Sequence, residues 1–530
     1  MSVEKVNIVG AGLAGLASAV TLAKKGVHSR LISVQASERA QSVMAEGGIN
    51  GVLNTMGEDD NVENHFNDTV KAGCNIADEE AVRGLTKTAP YIIERLEKLG
   101  VPFNRNSDGT IMQRNFGGQK KKRTAYAKSS TGKIIMTALI DEARRFEAEG
   151  FIERFSSHEL VKLIIKSEQK VEGVVIRNTY TGEVCAFYGP VILSCGGMNG
   201  FFPGRTTGTT ANSGEAAAIA FSQGVVFSNL EMIQYHPTTV KIPGKRCLIS
   251  EAARGEGGRL FILKDGKPWY FMEEKYPELG NLMPRDVVSR EMYFVTHDKA
   301  LGGRVYLDMR GISKEVWKKR LPDLRQEILD YLSIDPAKEP VPVEPGIHYF
   351  MGGIDVDAKH HTNMENLYAA GECCSLYHGA NRLGGNSLLG AIYGGLTAAE
   401  SVYEDCFKRD NCKEDTNEKY DITELCAAET AVATSALKTE ISDILYDALG
   451  IVRNEDEMKN GLEKIEKLMK QHSNNIANIR RLNLAKMMIS SAIYRKESRG
   501  AHYRSDYPER NEKFRRYIKC NLKGIIDTVE

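Results

Sequence analysis

Short apolar runs that end in glycine dominate the first part of this chain, and helical periodicity dominates the last. The run VNIV (6–9) breaks at Gly10, Gly12 and Gly15, then gives way to the helix-like ASAVTLAKKG and to a second strand-like segment, HSRLIS, ending at Ser33. Two further runs, VILSCGG (191–197) and NLYAAGE (366–372), share the form and predict central strands that deliver backbone to a ligand. They lie far apart, so one domain is predicted to be interrupted by an insertion. The insertion has Gly/Pro punctuation, charged stretches and PAKEPVPVEPG just before His348, which reads as a cap on a proline-rich hinge. Further on, Leu437, Ile441, Ile444, Leu445 and Ala448 share one helical face, and Leu462, Ile465, Leu468 and Met469 share another. Asn454 with Glu457 predicts a capping box, and Gly450 and Gly500 predict helix stops.

The three glycines after the first strand have separate physical duties. Gly10 permits the tight strand-to-helix turn, Gly12 admits a pyrophosphate to the backbone, and Gly15 lets helix and strand pack closely, with the helix N-terminus attracting the anion. Ser33 stands where an acidic residue would usually hold a ribose hydroxyl, which leaves the nucleotide open at this point. The predicted fold class is α/β: a Rossmann-like dinucleotide-binding domain over 1–236 and 348–410, an α+β capping domain over 237–347, and a C-terminal helical domain over 411–530.

Composition narrows the function classes. The 530 residues carry 70 basic and 70 acidic side chains, so nothing points to nucleic acid or an anionic membrane as partner. No window approaches the roughly 18 unbroken apolar residues of a membrane span, and the first apolar run is a strand rather than a leader. We expect a cytoplasmic protein, associated with a membrane only through partner subunits. The ten cysteines are scattered without CxxC spacing or a His/Cys ligand cluster, which predicts reduced thiols and no metal site. The KKKR run at 120–123 reads as a solvated face.

Several islands are too rich in Arg, His and Gly for ordinary loops: FGGQKKKRTAYAKSSTGK, QYHPTT, SEAARGEGGR, MPRDVVSR, HYFMGGID and GANRLGGNSLLG. In this order, and through SRGAHYRSDYPER at 498–510, the chain resembles the flavoprotein subunit of fumarate reductases and succinate dehydrogenases. That resemblance implies FAD, and reduction of fumarate to succinate by hydride from the flavin with a proton from Arg285. Such chemistry needs a proton donor and cations that hold a dianion, which Arg and His supply, and Arg suits bidentate carboxylate recognition. By resemblance, His236, Ser250, His348 and Arg382 hold the carboxylates, and Glu251 with Arg254 returns a proton to Arg285. Without that context Arg285 could instead form a structural ion pair with Asp286.

The resemblance carries FAD contacts onto Gly10, Gly12, Ala14, Gly15, Ser33, Ala45, Glu46, Gly47, Gly48, Glu372, Asn386, Ser387 and Leu388. It also places Glu215 of NSGEA in the acidic position of a flavin loop. Two departures matter. Gln41 occupies the place of the histidine that links flavin covalently in membrane-complex members, so non-covalent FAD is expected. Phe116 precedes Gly117 and Gly118 where the related L-aspartate oxidase has a glutamate for the substrate ammonium. A phenyl face gives an ammonium only about 0.5 to 2 kcal/mol, which places aspartate oxidation second. Reduction of another small unsaturated carboxylate, or a non-catalytic flavin-binding role, are the other readings. Electrons are expected from an iron-sulfur subunit or from a soluble donor such as reduced flavin, flavodoxin or ferredoxin.

Overall fold

The computed structural model describes residues 5–408 and 433–526, apart from 168 and 302. The boundary expected at 410/411 lies outside the described residues.

Strand Val6–Val9, buried throughout, runs in a five-stranded parallel sheet in the order 367–369, 191–193, 6–9, 29–33, 152–156. Parallel strands covered on both faces read as continuous apolar runs, which is why VNIV, VIL and NLYA stand out in the sequence. Gly10 turns the chain at φ +122°, and a Cβ there would sit 2.1 Å from the Ser194 carbonyl oxygen. Only glycine fits that turn. Gly15 seats helix Leu13–Lys24 on the sheet, since its Cβ would fall 1.9 Å from the Gly10 carbonyl. Helix Asn386–Val402 crosses the same helix through Gly395, whose Cβ would lie 2.3 Å from the Ala14 carbonyl.

The cap is built on a six-stranded antiparallel sheet that includes strands Ile233–Ile242 and Val341–Phe350. Both expected cap boundaries, 236/237 and 347/348, fall inside these two strands, which pair directly and so pass from the central domain into the cap as one ribbon. The cap has its own core, including Leu260, Ile262, Met292 and Leu307, and Phe116 of the central domain packs into it. From Val341 on, the proline-rich stretch before His348 is strand rather than a loose hinge, with turn and bend confined to 336–339. Pro237 and Pro345 both fall where the pairing register breaks, between His236↔Gly346 and Thr239↔Glu344, and a break needs no ladder hydrogen bond.

Helices Ser435–Ala448, Glu455–Gln471 and Ile476–Tyr494 form the C-terminal helical domain. Leu437, Ile441, Leu445 and Ala448 are buried and join the main core, each large aliphatic side chain contributing about 1.5 to 3 kcal/mol. Asn454 caps the second helix by accepting from the Glu457 N–H at 2.9 Å. The third helix ends at Tyr494 rather than near Gly500, because Arg495 turns extended and its buried guanidinium reaches Glu231 and Glu497. Gly500 instead serves a close approach at φ +57°, where a Cβ would meet the Ala380 carbonyl at 2.5 Å. Strand Lys519–Asn521 then pairs with Phe227–Ser228 and ties the tail to the central domain.

The KKKR run departs from a purely solvated face. Lys120 is exposed, but Arg123 is fully buried between Asp60 and Asp68, with ion-pair distances of 3.0 and 2.7 Å, and Lys122 pairs with Glu58. Among the described residues no helix is long and apolar enough to cross a membrane, and no cluster of His, Cys, Asp and Glu is composed to hold a metal ion.

Candidate active site

A cavity of about 540 Å³ runs from the glycine turn of the central domain to the underside of the cap. Nearly all the residues expected at the site line it: Gly10, Gly12, Ala14, Ser33, Ala45, Glu46, Gly47 and Gly48 from the N-terminal segment; Glu215, Glu372, Ser387 and Leu388 from later turns; and Phe116, His236, Ser250, Glu251, Arg285, His348 and Arg382 toward the cap. Three do not line it. Gly15 works behind the wall as a packing glycine, and Arg254 stands behind Glu251. Asn386 turns its side chain into a buried network, accepting from Asn50 Nδ2 at 2.7 Å and donating to Thr69 Oγ1 at 3.0 Å.

One end of the cavity suits a dinucleotide. Helices Leu13–Lys24, Thr131–Ala148, Glu215–Ser222 and Asn386–Val402 begin at its wall, and their N-cap residues Gly12, Ser130, Gly214 and Gly385 offer no side-chain cap. Elsewhere Asn61, Asp78, Thr434, Asn454 and Asn475 cap their helices. Uncapped N–H groups and converging dipole ends fit a pyrophosphate and carbonyl oxygens of a bound ring. The floor is equally narrow, since a Cβ on Gly47 would lie 2.8 Å from the Phe116 ring. These groups fit FAD. The Ser33 hydroxyl donates to the Gln35 carbonyl at 2.7 Å, and Glu215 is paired with Arg481 at 2.9 Å, so both face the cavity already engaged. Glu372 accepts from the Phe350 N–H at 3.2 Å, and burial pushes its carboxyl up to about 7. Gln41 accepts from the Thr209 N–H at 2.6 Å.

The other end is a ring of nitrogen donors. Arg285, at the start of helix Arg285–His297, donates from Nε and Nη2 to Glu251 Oε2 at 3.0 and 2.6 Å, and from Nη1 to Gln234 Oε1 at 3.1 Å. Arg254 donates to the other Glu251 oxygen at 2.9 Å. Burial alone would raise the Glu251 carboxyl, but Arg285 and Arg254 overcome it and hold it at about 2. Asp286 is not the partner of Arg285: its Oδ1 is buried without a hydrogen bond, and burial raises its carboxyl.

Arg382 is buried with an unpartnered Nε and stacks 4.3 Å over the Tyr349 ring; burial and then Arg285 lower it to about 9, which keeps it charged at neutral pH. His236 takes the Thr238 N–H on Nδ1 at 3.3 Å, which leaves the ring proton on Nε2, buried without a partner and available to a ligand. His348 contacts the Thr207 hydroxyl through Nδ1 at 2.8 Å, and the two histidine rings meet at 5.0 Å. Burial, then Arg285, hold both histidines well below the usual imidazole range. The expectation that they bring positive charge is thereby corrected: they are neutral N–H donors, and Arg285 and Arg382 carry the charge. Ser250 Oγ accepts from the Ala252 N–H at 3.4 Å, and burial pushes the carboxyl of Glu46, also in the cavity wall, well up.

Three contributors escaped sequence reading. Gln234 donates to Asn381 Oδ1 and to the Arg382 carbonyl, both at 2.9 Å, while accepting from Arg285, so one carboxamide frames both arginines. Thr207 orients His348, and Arg114 braces the Gly47 carbonyl from beneath. Gln234 opens the QYHPTT island, yet its partners lie far off in sequence, and Thr207 and Arg114 carry no local signal.

Comparison with known proteins agrees with this arrangement. The FAD binding domain family matches residues 5–388, and the fumarate reductase flavoprotein C-terminal family matches 438–523. The succinate dehydrogenase flavoprotein subunit of Bacillus subtilis is 37% identical, covering 97% of this chain and 92% of that protein. The fumarate reductase flavoprotein subunit of a Serratia species is 32% identical over 94% of this chain and 88% of its own length. A solved structure of a mutated FrdA of E. coli quinol fumarate reductase superposes with a TM-score of 0.88 at 29% identity, covering 98% of this chain and 94% of that one. Its fold is likewise an α/β FAD-binding Rossmann domain with a capping domain and a C-terminal helical domain. This chain belongs to the fumarate reductase/succinate dehydrogenase flavoprotein family of FAD-dependent oxidoreductases.

Proposed function

We propose that this protein reduces fumarate to succinate with non-covalently bound FAD. The observation that carries the reading is Arg285: a buried guanidinium fixed by Glu251 and Gln234 at the cavity wall, with Arg382 and the N–H donors of His236 and His348 lining the same space. FAD, when bound in the glycine cradle, supplies the hydride. The remaining work belongs to side chains. Arg382, His236, His348 and Ser250 hold the two carboxylates, and burial strengthens each contact by excluding water.

Arg285 gives a guanidinium proton to the alkene carbon opposite the one that receives hydride. A guanidinium holds its protons tightly, but a carbon with carbanion character beside a carboxylate is a strong enough base. Once Arg285 is neutral, Glu251 loses the larger of the two charges that hold its carboxyl down. Burial then favours the protonated acid, so Glu251 takes a proton from the Arg254 side and hands it to Arg285. Gln41 lacks a ring nitrogen for a flavin bond and is engaged with the Thr209 N–H. Without that bond the flavin stays more reducing, which favours the fumarate-reducing direction. The buried Phe116 supports a flat alkene over an ammonium-bearing substrate. An iron-sulfur subunit or a soluble donor delivers the electrons.

A steady-state comparison of fumarate, maleate, crotonate, urocanate and L-aspartate with one chemically reduced dye tests the proposal. Fumarate should turn over fastest. Turnover of L-aspartate above that of fumarate would overturn the choice of substrate, and failure of fumarate to reoxidise the reduced flavoprotein would overturn catalysis altogether.

A further inference from the structure

A buried cation that the proton and substrate steps do not use lies under the floor of the flavin cavity. Arg114 is 6% exposed, and its Nη2 donates to the Gly47 carbonyl. The guanidinium stacks 4.0 Å from the centre of the Tyr126 ring and lies 5.4 Å from that of Phe116. Its Nε and Nη1 are buried without hydrogen-bond partners, and among the described residues it has no ion pair. Two carboxylates act on it from beyond ion-pair distance: Glu256 is already paired with Arg320 at 2.9 Å, and burial pushes the Glu46 carboxyl well up. Burial lowers the guanidinium itself only to about 10, which leaves it charged at neutral pH.

A buried charge without a counter-charge is costly. Arg123, Arg285 and Arg495 show how this chain treats such charges elsewhere, each set against a carboxylate. An anion that arrives in the cavity would relieve the cost at Arg114. Gly47 and Phe116 both line that cavity, and the same stretch of chain reaches its reacting end, since a Cβ on Gly117 would lie 2.6 Å from Glu251 Oε1. A flavin that passes hydride to a substrate beside Arg285 has its ring at this end and its pyrophosphate at the other. The Gly47 carbonyl and the Gly48 N–H belong to one peptide unit, so the hydrogen bond from Arg114 also polarises an N–H of the cavity wall.

We propose that Arg114 holds two-electron-reduced FAD in its anionic form and thereby raises the reduction potential of the flavin. Two electrons and one proton convert FAD to that anion; the second proton, which a neutral reduced flavin would bind, stays in solvent, and the guanidinium supplies the balancing charge across the Gly47 peptide. The oxidised ring carries no such charge, so the attraction favours the reduced cofactor selectively. The inference rests on FAD occupying the glycine cradle and does not depend on which carboxylate is reduced.

The midpoint potential of the FAD-loaded protein, measured against a reference dye with no substrate present, tests it. Between about pH 6 and pH 8 the potential of the unsubstituted protein should fall by about 30 mV per pH unit, the slope for one proton per two electrons. A slope of about 59 mV, for two protons, would overturn the proposal even if no variant folds. Arg114→Met should lower the potential at neutral pH by about 30 mV, a tenfold loss of preference for the reduced cofactor, and Arg114→Lys, which keeps a charge, should lose less. A mere brace for Gly47 would serve oxidised and reduced FAD alike, so an unchanged potential with weaker FAD binding overturns the proposal. An unchanged potential with weaker succinate binding also overturns it, by assigning the cation to the substrate. The potentials are read without fumarate, so their failure leaves the choice of substrate standing.

Discussion

Arg285 places its Nε and Nη2 on a single oxygen of Glu251, at 3.0 and 2.6 Å, while the other oxygen of that carboxylate receives Arg254. One carboxylate thus sits between two guanidiniums, and the outer guanidinium is the one exposed to the cavity. This clamp fixes the donor's orientation and leaves its Nη1 held only by Gln234.

Arg285→Gln should retain substrate binding through Arg382 and the histidines while losing the proton donor. Turnover should fall by at least about 10²- to 10⁴-fold. Succinate binding measured by calorimetry should change far less, and a variant that loses both together would place Arg285 among the binding groups instead.

Glu251→Gln removes the charge between two buried guanidiniums. Leaving such charges uncompensated costs about 3 to 5 kcal/mol, so the melting temperature should drop along with turnover. Arg254→Lys, which keeps the charge, should be milder on stability, and comparing the two melting curves checks the assignment.

Glu372 gives a pH dependence with a definite sign. Burial raises its carboxyl from an ordinary value of 4.5 to about 7 in the folded protein. Between those values the folded chain holds a proton that the unfolded chain has lost, so stability from this group is full below the lower value and declines as pH rises through the higher one. Glu372→Gln does not titrate. Its melting temperature relative to wild type should therefore rise by a few degrees between about pH 4 and pH 8; a constant difference would show that the carboxyl does not titrate there.

Acid precipitation should leave the yellow flavin in the supernatant, given Gln41. Colour retained in the washed pellet would mean attachment through some other side chain.

Gly10→Ala forces a Cβ into the Ser194 carbonyl at a backbone angle that alanine resists. The purified variant should carry little or no flavin absorbance, while Gly26→Ala, at φ +76° with open space around it, should keep its cofactor.

Much of this was legible in the chain itself. Strands buried on both faces declare themselves as apolar runs, and Gly10 and Gly15 mark backbone approaches that nothing larger fits. The paired histidines and Arg382 were visible because polar, glycine-rich islands are rare in folded interiors. Protonation was not legible: the neutral state of His236 and His348 follows from burial beside Arg285, a neighbour distant in sequence. Gln234 was hidden for the same reason, since its partners lie at 285, 381 and 382. Arg123 looked solvated because its carboxylate partners, Asp60 and Asp68, are more than fifty positions away.

The prolines at the register break have a mechanical consequence. The two strands that lead into the cap pair directly, and the register break that holds Pro237 and Pro345 lies one residue past His236 and three before His348. Bending at that break would carry both imidazoles together, so a cap that opened there would withdraw both N–H donors from a bound ligand in one motion.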